Sequence, residues 1–356
     1  MMKVMIYPAT YENVREGVDR AFEIFPLQLK GKKVLIKPNV LRSSRADEGI
    51  VTNPAVLRAV VEKVETMTPA SIIVGDNPGL FNYGANEESF RSAGLIEAAK
   101  GYYQNIGNDS RKVDFNPAFL TSVSVSRAVL DADIVISLPK FKTHGLTVMT
   151  GAIKNSYGIL PGAQKAWLHK ESGGPVCFQE ILVDVFRLRV PDLFIMDAVV
   201  GMEGNGPASP DLRDIGLILA SDNAVAMDAV VATMMGCEPG RLRILQKAKE
   251  LGLGDYNLRT IDVIGELKPL SDFKLPPFSG EVLLQNEAIQ TLIRNRIVMR
   301  PQADPDLCTG CGACIDQCTV SALSMGDNNL PRVDADTCIS CFCCQEICPE
   351  KAIVLK

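Results

Sequence analysis

Residues 338–349 read CISCFCCQEICP, five cysteines in twelve positions, and their register decides what this end of the chain can fold around. Thirty residues upstream the same spacing occurs: Cys308, Cys311, Cys314 and Cys318 follow C-x2-C-x2-C-x3-C, and Cys338, Cys341, Cys344 and Cys348 repeat it. Cys343 falls outside that register. Nine of the eleven cysteines lie beyond residue 300. An odd total, the dense clustering, and an opening MMKVMIYPAT without a basic and then apolar secretory pattern argue for metal ligation in a reducing compartment rather than for disulfides. A cytoplasmic location is expected, with no membrane span, since no stretch approaches ~20 continuous apolar residues.

Three thiolates at i, i+3 and i+6 can wrap one cuboidal cluster on a tight loop, while the fourth, past a short helical turn, reaches a partner cluster. Cys308, Cys311, Cys314 and Cys348 are therefore expected to hold one 4Fe-4S cluster, and Cys338, Cys341, Cys344 and Cys318 the other. Zinc also takes clustered thiolates, but its sites usually separate two ligand pairs by a longer loop and stop at four ligands. For Cys343, a reactive thiol and a hydrogen bond to cluster sulfur were weighed against a small hydrophobe filling the cluster pocket, and filling is favoured. Cys177 and Cys237 sit in helical patterns and read as core. The fragments CTVSAL and CPEKAI after each fourth cysteine are internal repeats, and the whole tail resembles a bacterial-type ferredoxin. It departs from that family at Thr319, where proline is usual, which is expected to relax the local turn.

Composition divides the chain near residue 300. The 356 residues carry a net charge of -5, and the tail from Arg300 holds four Lys or Arg against eight Asp or Glu, so it supplies most of that charge. No basic patch for nucleic acid is present. Upstream, the apolar runs KKVLIKPN, SIIVGDNPG, ADIVISLPK, LFIMDAVVG, IGLILASDN and IDVIGEL alternate with helical patterns, which predicts an α/β domain with a mostly parallel sheet flanked by helices. Asn53 with Pro54, and Asn223, are expected N-caps. CFQEILVDVFRLRV and GRLRILQKAKELG read as further helices. The expected division is an α/β domain over 1–267, a proline-rich connector over 268–299, and a small α+β ferredoxin domain over 300–356.

Several strands end in Lys, Asn, Asp or Pro, as at Lys37 and Asn39, Asp76, Lys140 and Asp197. Ligands of open α/β sheets bind beyond the carboxyl ends of strands, although such residues also make ordinary turns and caps. With LPKFKTHGLTVMTGAIKNSYG at 138–158, GDNPG at 75–79 and MDAVVGMEGNGP at 196–207, the chain resembles the family catalogued as domain of unknown function 362 with an appended ferredoxin. That resemblance implies an α/β domain wired to two clusters and leaves the reaction to be argued from residues. The expected anion site is the loop from Lys140 to Lys154, which carries Lys140, Lys142, His144 and Lys154 with no acidic residue among them. Thr150 and Gly151 open a short helix there whose free N–H groups would help hold an anion. Lys37, Asn39, Asp76, Asn155, Glu203 and Asn205 are expected to complete it, with His144 as proton donor. The other reading of this basic run is a face that docks the acidic ferredoxin domain, and His144 could be an ordinary polar loop residue.

GMEGNGPAS is not a G-x-G-x-x-G fingerprint and no phosphate-binding P-loop occurs, which disfavours a nicotinamide; flavin is left undetermined. Asp76, Asp197, Glu203 and Asp228 were weighed as ligands of a divalent metal, with caps and solvated loops explaining them as simply. The favoured function is an iron-sulfur oxidoreductase relaying electrons to a small anionic substrate or bound cofactor. The alternative is an electron-carrier or maturation protein serving a redox partner protein, and clusters as structural staples are a weaker third. The register makes a direct prediction. Anaerobically isolated protein should contain about eight iron and about eight sulfide per chain; Cys344→Ser should lose or convert one cluster, while Cys343→Ser keeps both. Iron and sulfide analysis of the two variants checks it.

Overall fold

The computed structural model describes residues 1–79, 84–172, 175–276, 300–338, 341 and 343–355. Among the described residues eleven strands precede the cysteine tail: β1 (Met2–Pro8), β2 (Lys33–Pro38), β3 (Ser71–Val74), β4 (Ser110–Asp114), β5 (Ser122–Ser126), β6 (Ile134–Leu138), β7 (Lys140–His144), β8 (Val148–Thr150), β9 (Leu193–Met202), β10 (Leu212–Ser221) and β11 (Ile261–Ile264). The main sheet runs β11-β1-β10-β9-β6-β2-β3, with β7 added along β9 and β8 paired to β7; β4 and β5 form a separate hairpin. Pairing is parallel among β3, β2, β6 and β9 and between β1 and β11, whereas β10 lies antiparallel to both its neighbours. This is the expected α/β class. All six apolar runs form strands of the sheet.

Period-two burial gives the sheet two dry faces. Val34 and Ile36 of β2, Leu193 and Ile195 of β9, and Ile218 of β10 pack beneath the helices Val14–Ile24 and Pro54–Glu65. Leu35, Phe194, Met196 and Leu219 point the other way, onto Pro175–Leu188 and Ala224–Met234. Both expected caps form: Asn53 Oδ1 accepts from Ala55 N at 2.9 Å and Asn223 Oδ1 from Ala226 N at 3.0 Å.

The stretch expected as a basic loop is instead a buried β-hairpin. After Pro139 the chain continues along the same neighbour, β6 pairing the start of β9 and β7 its end, before β8 returns antiparallel to β7. KFKTH lacks apolar alternation, so nothing in its local pattern marks a strand. Its polar side chains can be buried because the carboxyl ends of other strands supply partners. Lys140 Nζ reaches Asp197 Oδ2 at 2.8 Å, and the same carboxylate accepts from Asn53 N at 2.8 Å and Tyr11 Oη at 3.2 Å.

The tail pairs β12 (Pro301–Ala303) with β15 (Ile353–Leu355) and β13 (Leu323–Met325) with β14 (Pro331–Val333), with short helices Ala313–Asp316 and Cys343–Ile347 between. The two repeats match in detail. Cys318 Sγ accepts from Ala322 N at 3.2 Å and Cys348 Sγ from Ala352 N at 3.3 Å, and the turns Cys318–Ser321 and Cys348–Lys351 close with backbone bonds of 3.1 and 3.2 Å. Thr319 in place of proline therefore leaves the turn intact, contrary to expectation. The expected connector over 268–299 is described to residue 276, and the rest of it lies outside the described residues.

The Lys140 and Asp197 pair is fully buried, and removing one partner strands a charge without solvent. Lys140→Met should lower the unfolding free energy of the α/β domain by about 3–5 kcal/mol while leaving iron content unchanged, as urea unfolding followed by circular dichroism will show.

Candidate functional site

A cavity lies where the carboxyl ends of the strands meet both repeats of the tail. Its wall includes Asn39, Asp76, Lys142, Thr150, Lys154 and Asn155 from the α/β domain, Lys165 and His169 from the helix Gly162–Ser172, and Gln317, Thr319, Cys343 and Glu346 from the tail. The tail residues flank Cys318 and Cys344, which belong to one expected quartet.

Lys37 sits behind this wall. Its ammonium is 2.7 Å from Asp76 Oδ1, while Asp76 Oδ2 accepts from Val40 N at 2.9 Å. A Cβ on Gly158 would come within 2.0 Å of that carboxylate, so only glycine lets the chain pass. Burial lowers the Lys37 ammonium and Asp76 opposes the shift. Lys142 Nζ donates to Ile50 O at 2.6 Å, and burial, with Lys154 next in order, pushes it well below the lysine range. Lys165 Nζ is tied to the carbonyls of Asn77 and Pro78, and burial brings it down to about 7. Lys154, also lowered by burial, has no carboxylate within ion-pair distance among the described residues; Glu346 and Cys343 are the groups whose charge favours its ammonium. The wall is thus a set of desolvated lysines, whose charged forms an anion would stabilise.

The helix Ala152–Asn155 begins after Gly151 as expected, but its free N–H groups are already occupied. Asp228 accepts from Ala152 N at 2.6 Å and Ile153 N at 3.1 Å, and a Cβ on Gly151 would lie 2.2 Å from that carboxylate. The helix end is satisfied by an internal carboxyl, which burial pushes up to about 7, so those N–H groups are not open to a ligand.

Other expected site residues lie elsewhere. Lys140 is spent on Asp197, outside the cavity wall. Glu203 pairs with Arg213 at 3.1 Å and Lys274 at 3.9 Å, and Asn205 is not in the wall. With Asp76 on Lys37 and Asp197 on Lys140, the four acids weighed as a metal site each have separate partners.

His144 stands behind Glu346. Its Nδ1 accepts from Leu146 N at 3.1 Å, which leaves the proton on Nε2, 3.0 Å from Glu346 Oε1 but off the line of a straight hydrogen bond. Burial, then Lys154, brings His144 down to about 4, so it is neutral at physiological pH. Against the upward push of burial, His144, then Lys154 and His169, holds Glu346 down to about 2. His144 is therefore a positioning residue for Glu346 and a docking contact between the two domains. Lys165, His169 and Glu346 were not anticipated in the wall. The i, i+4 spacing of Lys165 and His169 on one helix face was the available signal.

The four thiols of one expected quartet lie together. Cys308, Cys311, Cys314 and Cys348 line one small cavity beside Pro349. Burial, then Cys348, Cys311 and Cys308, pushes the Cys314 thiol up to about 11. Cys344 is pushed well up by burial, then by Cys341, Cys314, Cys338 and Cys318. Thiols crowded in this way favour thiolates only when an iron cluster supplies the opposing charge. Cys343 lines the interdomain cavity beside the Cys341 thiol.

The model of the family described as domain of unknown function DUF362 matches residues 34–233, and that of a 4Fe-4S dicluster domain matches residues 300–349. A thylakoid-associated protein of Synechocystis is 33% identical over 232 residues, covering 63% of this chain and 69% of that protein. A "Probable ferredoxin" of Methanosarcina thermophila is 44% identical over 32 residues, 9% of this chain and 55% of that one. The lactate racemase apoprotein of Thermoanaerobacterium thermosaccharolyticum aligns at 13% identity and TM-score 0.42, covering 66% of this chain and 56% of its own. A structural-genomics protein from Thermotoga maritima aligns at 15% identity and TM-score 0.36, covering 55% of this chain and 52% of its own, so the chain spans little more than half of either solved structure. Among the described residues no helix is long and apolar enough to cross a membrane.

The pH dependence follows from His144. The unfolded chain takes up its proton near 6.5 and the folded protein only near 4, so the unfolded state binds more protons across that window and stability is lost as pH falls through it. Thermal unfolding of the holoprotein should show this slope. His144→Gln should lessen it without abolishing it, because buried His169, brought down to about 3, adds to the same slope and the Asp228 carboxyl, pushed up to about 7, opposes it.

Proposed function

From the fact that this chain belongs to the family of domain of unknown function DUF362 and carries a 4Fe-4S dicluster domain behind it, we propose that it is an iron-sulfur oxidoreductase acting on a small anion held in the cavity between the two domains. The observation that carries this reading is that one wall is a set of desolvated lysines and the facing wall is the backbone that brackets Cys318 and Cys344. Cys338, Cys341, Cys344 and Cys318 would hold the cluster nearest the cavity, and Cys308, Cys311, Cys314 and Cys348 the other. Such clusters, when bound, supply single electrons at low potential.

The chain's own residues do the rest. Lys154 and Lys142 attract and orient the anion, and Asn39 with Asn155 fixes the floor beside them. Lys165, near neutrality, is the wall group suited to hold and give up a proton at physiological pH, in place of His144. Glu346, kept ionised by His144, limits how much negative charge the cavity accepts. Electrons reach the other cluster from a partner protein, a step supported by the exposure of Cys311 and by Leu307, 52% exposed beside Cys308. The same surface is what favours the second reading, a carrier that serves a redox partner.

Lys154→Ala tests the first reading. Anaerobically purified wild-type protein should retain a small anion detectable by mass spectrometry, and the variant should retain at least about tenfold less with unchanged iron content and visible spectrum. Equal retention by both proteins would favour the carrier.

A further inference from the structure

Polar atoms of the cavity wall that lack partners limit what can fill it. Asn155 is fixed on both sides: its Nδ2 donates to Ser137 Oγ at 2.8 Å, and its Oδ1 accepts from Asn39 Nδ2 at 3.1 Å and from Lys37 Nζ at 3.4 Å. The orientation of Asn39 follows, since turning its amide over would set two carbonyl oxygens against each other. Asn39 lines the cavity with its nitrogen spent, and its Oδ1 is buried with no partner. The Thr150 hydroxyl, in the same wall and 2% exposed, also has none. Lys154 supplies the cation that no carboxylate within ion-pair distance neutralises among the described residues.

Size sets a second limit. The cavity holds about 80 Å³ open to a water molecule. That volume, reached by the centres of water molecules, admits several waters or a small ligand.

We infer that the ligand is a small carboxylate-type anion that also carries a hydroxyl or amino donor, its anionic end taken by Lys154 and Thr150 and its donor by Asn39. This rests on the cavity being the anion site proposed above. An acceptor buried without a donor costs free energy that a correctly placed donor on the ligand recovers, so the donor confers selectivity as well as affinity.

Calorimetric titration of the anaerobic holoprotein with acetate, glycolate and glycine decides the matter. Glycolate or glycine should bind roughly tenfold or more tightly than acetate, and whichever does so identifies the donor as hydroxyl or amino. Asn39→Leu should abolish that preference while acetate binding persists, and Lys154→Met should weaken all three together. Equal binding of the three to wild-type protein, or release of a flavin or nucleotide from it on denaturation, overturns the inference and leaves the anion reading standing. Absence of binding by any of them, or binding indifferent to Lys154→Met, brings down the anion reading as well. The wild-type series is decisive even where a variant fails to fold.

Discussion

An ammonium removed from water must be paired or hydrogen-bonded, and satisfying that requirement at the carboxyl ends of the strands organises this molecule. Lys37 uses Asp76, Lys140 uses Asp197, Lys142 uses the Ile50 carbonyl, and Lys165 uses the carbonyls of Asn77 and Pro78. Each solution draws a loop inward and fixes it. Gly158 must lack a side chain because the Lys37 pair occupies its space, and the β7–β8 hairpin can be polar and buried together because its lysines find partners beneath it. Lys154 is left over, and the cavity forms around it.

The basic run is divided between a residue that meets the tail and residues that line the cavity. His144 meets Glu346 across the domain boundary, while Lys154 faces the open space beside that contact. The same carboxylate marks where docking stops and the cavity starts. An acidic domain settled on a basic floor leaves a pocket whose field is set by both, which neither domain could hold alone.

Much of the architecture was legible because the relevant signals are local. Apolar runs of strand length, asparagine caps and cysteine spacing each act within a few residues, and all led to elements that formed. The site was less legible because its determinants are tertiary. Nothing near Asp228 shows that its carboxylate closes a helix some seventy residues earlier in the chain. Glu346 reads as a solvated acid until the fold brings it to His144. Lys140 and Lys142 are two residues apart and look alike in sequence, yet one stabilises the sheet and the other lines the cavity, because the alternating directions of neighbouring strand positions, perturbed here by an irregular register, decide their partners.

The matched turns of the two tail repeats have an implication for how such modules diverge. Both halves keep the same thiol scaffold and the same N–H···S bonds, so cluster holding constrains them equally. They differ beside those thiols at several pairs; at three of them, Cys343 against Ala313, Thr319 against Pro349 and Gln317 against Ile347, a residue borders the interdomain cavity, while Gln345 against Ile315 lies away from it. Duplication supplied symmetry, and contact with the neighbouring domain is one place where it was broken.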